Sequence, residues 1–340
     1  MDLLHLAPVP VIDSHVHFPH RDVSHSLLDA VERIGYAAVN LVALPDMRGS
    51  SQNAAVMYHK RSSPARTYIS GAFDYTQVLD DPQRGPDVLA RQVCALKDAG
   101  FDGLKLIEGK PTARQQFGVP LDDPLYAPMW EALEAQRFPV VWHVADPGEF
   151  WDLQRCPDWA RAHGWFYGAD GFPSRQQLYD EVECVLERHP GLRVILAHFY
   201  FLSDDLPRAE AFLKAHPGAY LDLAPGVEMY VNFAQDVEAT RSFFVRHAGR
   251  IVYGTDIGAA TAESERGWTM NLGESLGRVW IVRHFLESNE AFDAPVEMGH
   301  GLGMDAAGLH GIALPPEALE RIYCRNFQAL FGERPADLPE

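Results

Sequence analysis

The feature that most constrains this chain is a rhythm. Short apolar runs of β type alternate with amphipathic helical runs from one end to the other. Eight extended runs are expected, over 9–18, 38–44, 67–75, 103–107, 139–146, 192–199, 219–223 and 251–256. Helical spacing falls at 26–34, 52–60, 87–99, 125–136, 176–188 and 206–215, with further helices after strands seven and eight. Gly100 follows the 87–99 run, where glycine suits the left-handed cap of a helix. Eight such units in register describe an α/β fold, the (β/α)8 TIM barrel. No low-complexity linker, repeat or composition shift divides the 340 residues. A single domain is expected over 1–340, with its core at about 9–332.

Two connections are long, 147–174 after strand five and 258–271 after strand eight. Both lie on the side where barrels build their sites, which makes them candidate substrate walls or lids. The first is rich in aromatics, including Phe150, Trp151, Trp159, Trp165 and Tyr167, and these would equally serve to pack the rim. The run 316–330 reads as closing helices.

The first strand, V-P-V-I-D-S-H-V-H-F, ends in His15 and His17. Residues two apart on a strand share a face, so both imidazoles aim at one point, as two ligands of one metal ion must. Alone, an H-x-H pair fits ordinary strand-end polar residues equally well. The other strands decide: strand five carries His143, strand six His198 and strand eight Asp256, each near the C-terminal end of its strand. In a barrel those ends converge on one face. Three or more histidines and a carboxylate there suit a divalent ion with an open position for water.

Composition narrows the partners. A formal net charge of -18 argues against nucleic acid and anionic membranes, since both call for a basic surface. Four scattered cysteines without a C-x-x-C pair fit neither a zinc knuckle nor a disulfide scaffold. The first strand begins without a leader-like segment, and no apolar run is long enough to span a bilayer. A cytoplasmic enzyme acting on a small molecule is expected, with association into homo-oligomers left open.

The segments I-D-S-H-V-H, V-V-W-H-V-A-D-P, V-I-L-A-H-F, Y-G-T-D and I-Y-C-R-N-F-Q-A-L-F-G, in that order, resemble the amidohydrolase-related branch of the amidohydrolase superfamily. The resemblance spans nearly the whole chain. It implies a metal-dependent barrel that hydrolyses a C–O or C–N bond of a small, carboxylated or uncarboxylated substrate. The alternative it also allows is a lyase, a non-oxidative decarboxylase or hydratase. It assigns His15, His17, His143 and Asp256 to the metal, and His198 to the metal or the reacting group. Zinc is the expected ion, manganese the alternative, with one ion favoured over two. Catalysis is expected from Asp256, taking and returning a water proton, and from His198. Lys105 on strand four stands where two-metal relatives carry a carbamylated, bridging lysine; otherwise it caps the barrel or binds a substrate carboxylate. A non-catalytic metal-binding barrel is the remaining reading, and a closed coordination shell would mark it.

Weaker signals surround this set. Asp13 and Asp146 are candidates to hydrogen-bond ligand histidines. Arg155, Arg161, Arg175 and Arg266 are candidate clamps for a carboxylate, although solvent exposure suits each. Gly273–Gly277 matches G-x-S-x-G, but the polar run before it is unlike the strand a nucleophile elbow requires. Gly301-Leu302-Gly303 opens like a dinucleotide fingerprint without its third glycine in place.

Overall fold

The computed structural model describes residues 9–17, 34–45, 52–80, 85–226, 228–258, 272–295 and 307–339. The strands run β1 Ile12–His17, β2 Ala38–Val42, β3 Thr67–Gly71, β4 Gly103–Gly109, β5 Val140–Val144, β6 Val194–Leu196, β7 Ala219–Asp222, β8 Ile251–Val252 and β9 Ile257–Gly258. These nine pair in parallel, in the order β8-β7-β6-β5-β4-β3-β2-β1-β9, and Ala291–Phe292 with Leu309–His310 forms a separate antiparallel pair. The two ends of that order, β8 and β9, are successive pieces of one extended stretch. Between them Ser14 N donates to Tyr253 O (3.0 Å) and Asp256 N donates to His15 O (2.9 Å). The sheet therefore closes on itself as an eight-stave TIM barrel, with the eighth stave split around residues 253–256.

Helices follow the expected staves. They include Asn53–Ser62, Gly85–Asp98, Ala127–Gln136, Arg175–Arg188, Leu206–Ala215, Val237–Arg246 and Leu272–Glu287. Strands six and eight are shorter than expected because their ends leave the pleat, for a reason that belongs to the site. The third stave stops at Gly71, short of the expected Tyr75. The expected helix over 26–34 lies outside the described residues except for Ile34.

Alternation along the staves sorts the side chains. Leu104, Leu106, Val140, Trp142 and Val194 face outwards into the layer shared with the helices, where Trp142 meets Trp130. Val141 and Ile195 face inwards, in a separate cluster completed by Phe327, Leu330 and Phe331 from the closing helix Asn326–Phe331. Gly103 marks how tightly that helix plugs the barrel floor: a Cβ there would lie 2.5 Å from the Phe331 ring. Gly103 shares its face with Lys105, so Lys105 points into the barrel above the plug.

A buried ion pair braces the floor from outside. Lys60 Nζ donates to Asp102 Oδ2 (2.7 Å), which also accepts from Ile69 N, while Asp102 Oδ1 accepts from Ala336 N in the C-terminal tail. Neither side chain reaches solvent. Lys60→Met will leave Asp102 without its cation and should cost about 3–5 kcal/mol. Urea unfolding checks this; a midpoint unchanged from wild type would contradict it.

Candidate metal and active site

Strand β1 places His15 and His17 on the inner face at the barrel's C-terminal end, and the split eighth stave brings Asp256 against them. His15 Nε2 and His17 Nε2 are 3.2 Å apart, and Asp256 Oδ1 is 3.2 Å from His17 Nε2 and 3.6 Å from His15 Nε2. Donor atoms this close are held together either by a proton that His17 Nε2 donates to Asp256 Oδ1 or by a metal ion among them. Among the described residues this is the group whose donor atoms converge as metal ligands do.

The other nitrogens show how the rings are set. His15 Nδ1 donates to Asp222 Oδ2 (2.8 Å), His198 Nδ1 to the Ala224 carbonyl (3.1 Å), and His143 Nε2 to the Ala145 carbonyl (3.0 Å) and Asp146 Oδ1 (3.2 Å). Each partner is an oxygen acceptor, so each of these nitrogens carries the proton. The opposite nitrogens, His15 Nε2, His198 Nε2 and His143 Nδ1, keep their lone pairs. His198 stands beside both neighbours, with ring centroids 5.5 Å from His15 and 4.9 Å from His143.

Breaks in the strand pleat aim these groups. His198, Phe199, Tyr200 and Phe201 all have φ between 51° and 56°, a left-handed turn made without glycine. Each such residue costs about 1 kcal/mol or more. The turn is tied down by Asp222 Oδ1, which accepts from His198 N (2.7 Å), by Tyr179 donating to the Tyr200 carbonyl (3.1 Å), and by Arg175 on the Phe201 carbonyl. Ala145 (φ 64°) and Asp256 (φ 53°) are left-handed too. This is why strands six and eight end early: the backbone leaves the sheet to present His198 and Asp256.

Lys105 is fully turned into the site, with Nζ donating to His15 Nε2 (3.1 Å). Burial pulls its pKa down to about 8. Burial likewise holds His15 well below the usual imidazole range, with Lys105 adding to it, and holds His198 at about 3 and His143 at about 4. Neutral imidazole is the form that ligates a metal. Burial alone would raise Asp256, but the His17 hydrogen bond, His15 and Arg278 outweigh it and hold Asp256 well below the carboxylate range.

The structure thus brings His15, His17 and Asp256 together and sets Lys105 and His198 beside them. His143 lies next to His198 with its Nε2 turned outwards to Asp146. Asp146 also accepts from Lys110 (2.8 Å) and Tyr167 (2.6 Å), so it does serve a candidate ligand histidine. Asp13 departs from expectation: it accepts from the His15 backbone N (3.1 Å) and from Thr255, and so braces the strand instead of the ring. Burial raises its pKa to about 7.

Of the expected clamps, Arg155 and Arg161 are exposed, Arg161 pairing with Asp158, and Arg175 is engaged with Tyr179, Phe201 and Asp204. Arg266 and Gly301–Gly303 lie outside the described residues, as do residues 259–271 of the loop after strand eight. Ser275 of the G-x-S-x-G match sits inside the helix Leu272–Glu287 and donates to the Gly258 carbonyl, so the match is a helix and not an elbow. The aromatic loop after strand five packs largely on itself, around Phe150, Cys156, Ala160 and Tyr167.

Two residues of the site escaped sequence reasoning. Asp222 orients His15, and Arg278 grips Asp256. Asp222 had a signal, since it ends a short apolar strand just as Asp256 does. Arg278, on a helix after strand eight, had none.

The amidohydrolase family model matches residues 71–332. The chain belongs to the amidohydrolase family. No curated protein sequence matches the chain of this amidohydrolase. Among solved structures it is similar to an uncharacterized TIM-barrel protein of Bordetella bronchiseptica, with TM-score 0.59, 15% identity and coverage of 96% of this chain and 99% of that one. It is also similar to 5-carboxyvanillate decarboxylase of Sphingomonas paucimobilis, with TM-score 0.55, 13% identity and coverage of 95% and 99%. A third is dihydroxybenzoic acid decarboxylase of Polaromonas sp. JS666, with bound manganese and 2-nitroresorcinol, at TM-score 0.51, 15% identity and coverage of 95% and 97%. At these identities the likeness is one of fold.

Proposed function

We propose that this amidohydrolase is a metal-dependent hydrolase that cleaves a C–O or C–N bond (ester, lactone or amide) in a small molecule. The observation that carries the reading is the convergence of His15 Nε2, His17 Nε2 and Asp256 Oδ1, flanked by the lone pair of His198. His15, His17 and Asp256 would hold one divalent ion, zinc or manganese, with His143 as a further donor; Lys105 would join only as a carbamate bridging a second ion. Such an ion polarises a carbonyl and makes water acidic enough to ionise near neutrality. His198 is placed to accept a proton through Nε2, because its Nδ1 proton is committed to the Ala224 carbonyl.

A second reading is a decarboxylase or hydratase acting on a carboxylated substrate, and two structural neighbours that are decarboxylases favour its decarboxylase form. In that reading Lys105, whose Nζ lies 3.1 Å from His15 Nε2, would meet the substrate carboxylate.

Elemental analysis of protein purified without chelator should find about one ion per chain. Chelation should abolish turnover of a panel of esters, lactones and amides, and Zn2+ or Mn2+ should restore it. About two ions, with a carbamate carbonyl in 13C NMR after 13CO2 is supplied, would assign Lys105 to a bridge. CO2 release from aromatic carboxylates without any hydrolysis would replace the first reading by the second. Failure to bind any ion on titration would overturn both.

A further inference from the structure

Asp256 has two carboxylate oxygens, and the structure gives them different company. Oδ1 faces His17 and His15, while Oδ2 accepts from Arg278 Nη1 at 3.1 Å. The same Nη1 lies 3.2 Å from the Asp256 carbonyl oxygen, and Nη2 donates to Glu274 Oε1 at 3.2 Å. Arg278 is fully buried, and Glu274, one helical turn before it, holds the far edge of its guanidinium. A planar fork pinned at both ends has little freedom to release its carboxylate. Asp256 is itself left-handed at φ 53°, so its backbone and its outer oxygen are gripped by one side chain.

We propose that Arg278 is a positioning residue that restricts Asp256 to a single oxygen, Oδ1, for any ion held with His15 and His17. The proposal rests on the metal reading given above. A carboxylate whose second oxygen is closed cannot swing to two-oxygen ligation. A proton on that oxygen is disfavoured beside the guanidinium, which favours proton transfer by other groups at the mouth, where His198 Nε2 and His143 Nδ1 keep lone pairs. The usual double duty of a strand-end aspartate is thereby divided.

Co2+ alone is the probe, because its visible absorption weakens several-fold as its coordination number rises. In Arg278→Met, Oδ2 is released to the ion, and the Co2+ absorptivity should fall several-fold while Co2+ affinity holds or rises, since a nearby positive charge has gone. A purely structural role predicts the opposite pattern, weaker binding with an unchanged spectrum of the bound fraction, and that result would overturn the proposal. Should Arg278→Met fail to fold, Arg278→Lys carries the test. One ammonium cannot reach Asp256 Oδ2, the Asp256 carbonyl and Glu274 together as the fork does, so an intermediate spectrum is expected and a wild-type spectrum would count against the role. Glu274→Gln, which loosens the far edge of the guanidinium, should shift the spectrum in the same direction by less. Absence of Co2+ binding by the wild-type protein would overturn the metal reading itself, a result distinct from binding with no response to Arg278.

Discussion

His17→Asn will strip this protein of its metal and its activity while leaving it folded. His17 supplies one of the converging nitrogens, yet its side chain is 24% exposed, so the substitution opens little of the core. Loss of a group that merely supports a ligand costs roughly 10- to 100-fold in metal affinity. Loss of a ligand itself should exceed that, and turnover should fall in proportion to occupancy. The thermal midpoint of metal-free protein should match wild type. With metal added, wild type should gain stability by mass action and the variant should not. Isothermal titration with Mn2+ or Zn2+, paired with thermal melts in both states, checks each part. A variant that binds the ion as tightly as wild type would remove His17 from the site. His143→Asn is expected to weaken binding less, because His143 stands beside His198 and outside the converging group of His15, His17 and Asp256.

Asp222 should show the second large effect, and two substitutions separate its two jobs. Its Oδ2 takes the proton of His15 Nδ1, which leaves Nε2 with the lone pair that faces the cluster. Its Oδ1 accepts from the backbone of His198 and Ala224 and so secures the left-handed turn after strand six. In Asp222→Asn the amide oxygen can keep the backbone bonds, but the NH2 then faces His15 Nδ1. That nitrogen must become an acceptor, the proton moves to Nε2, and the lone pair disappears. Metal affinity should fall about 10- to 100-fold with only a small change in stability. Asp222→Ala removes the acceptor from three buried donors at once and should destabilise the protein by roughly 3 kcal/mol or more. Urea midpoints and metal titrations of the pair test this; equal effects of both variants on stability would show that the tautomer is not what Asp222 controls.

Much of this molecule was legible in the chain. Hydrophobic periodicity is a local property, and it located the staves of the barrel to within a few residues. The ligand candidates were legible for a related reason: a polar residue closing an apolar strand stands out, and a barrel gathers its strand ends on one face. His15, His17 and Asp256 are near one another because of that rule, which needs no knowledge of packing.

What the sequence by itself determined, then, is the architecture and the identity of the residues at the mouth. Only the tertiary structure decided how they are used. The direction of Lys105 depends on strand phase, and it was settled by Phe331 filling the floor beneath Gly103. The lone pairs of His15 and His198 depend on acceptors supplied by strand seven and the loop after it. The single free oxygen of Asp256 depends on Arg278, 22 positions later on a helix. Each is a contact between segments that no local pattern links, because hydrogen bonds that choose a tautomer or close an oxygen are made by whatever atom the fold delivers, and not by the neighbours along the chain.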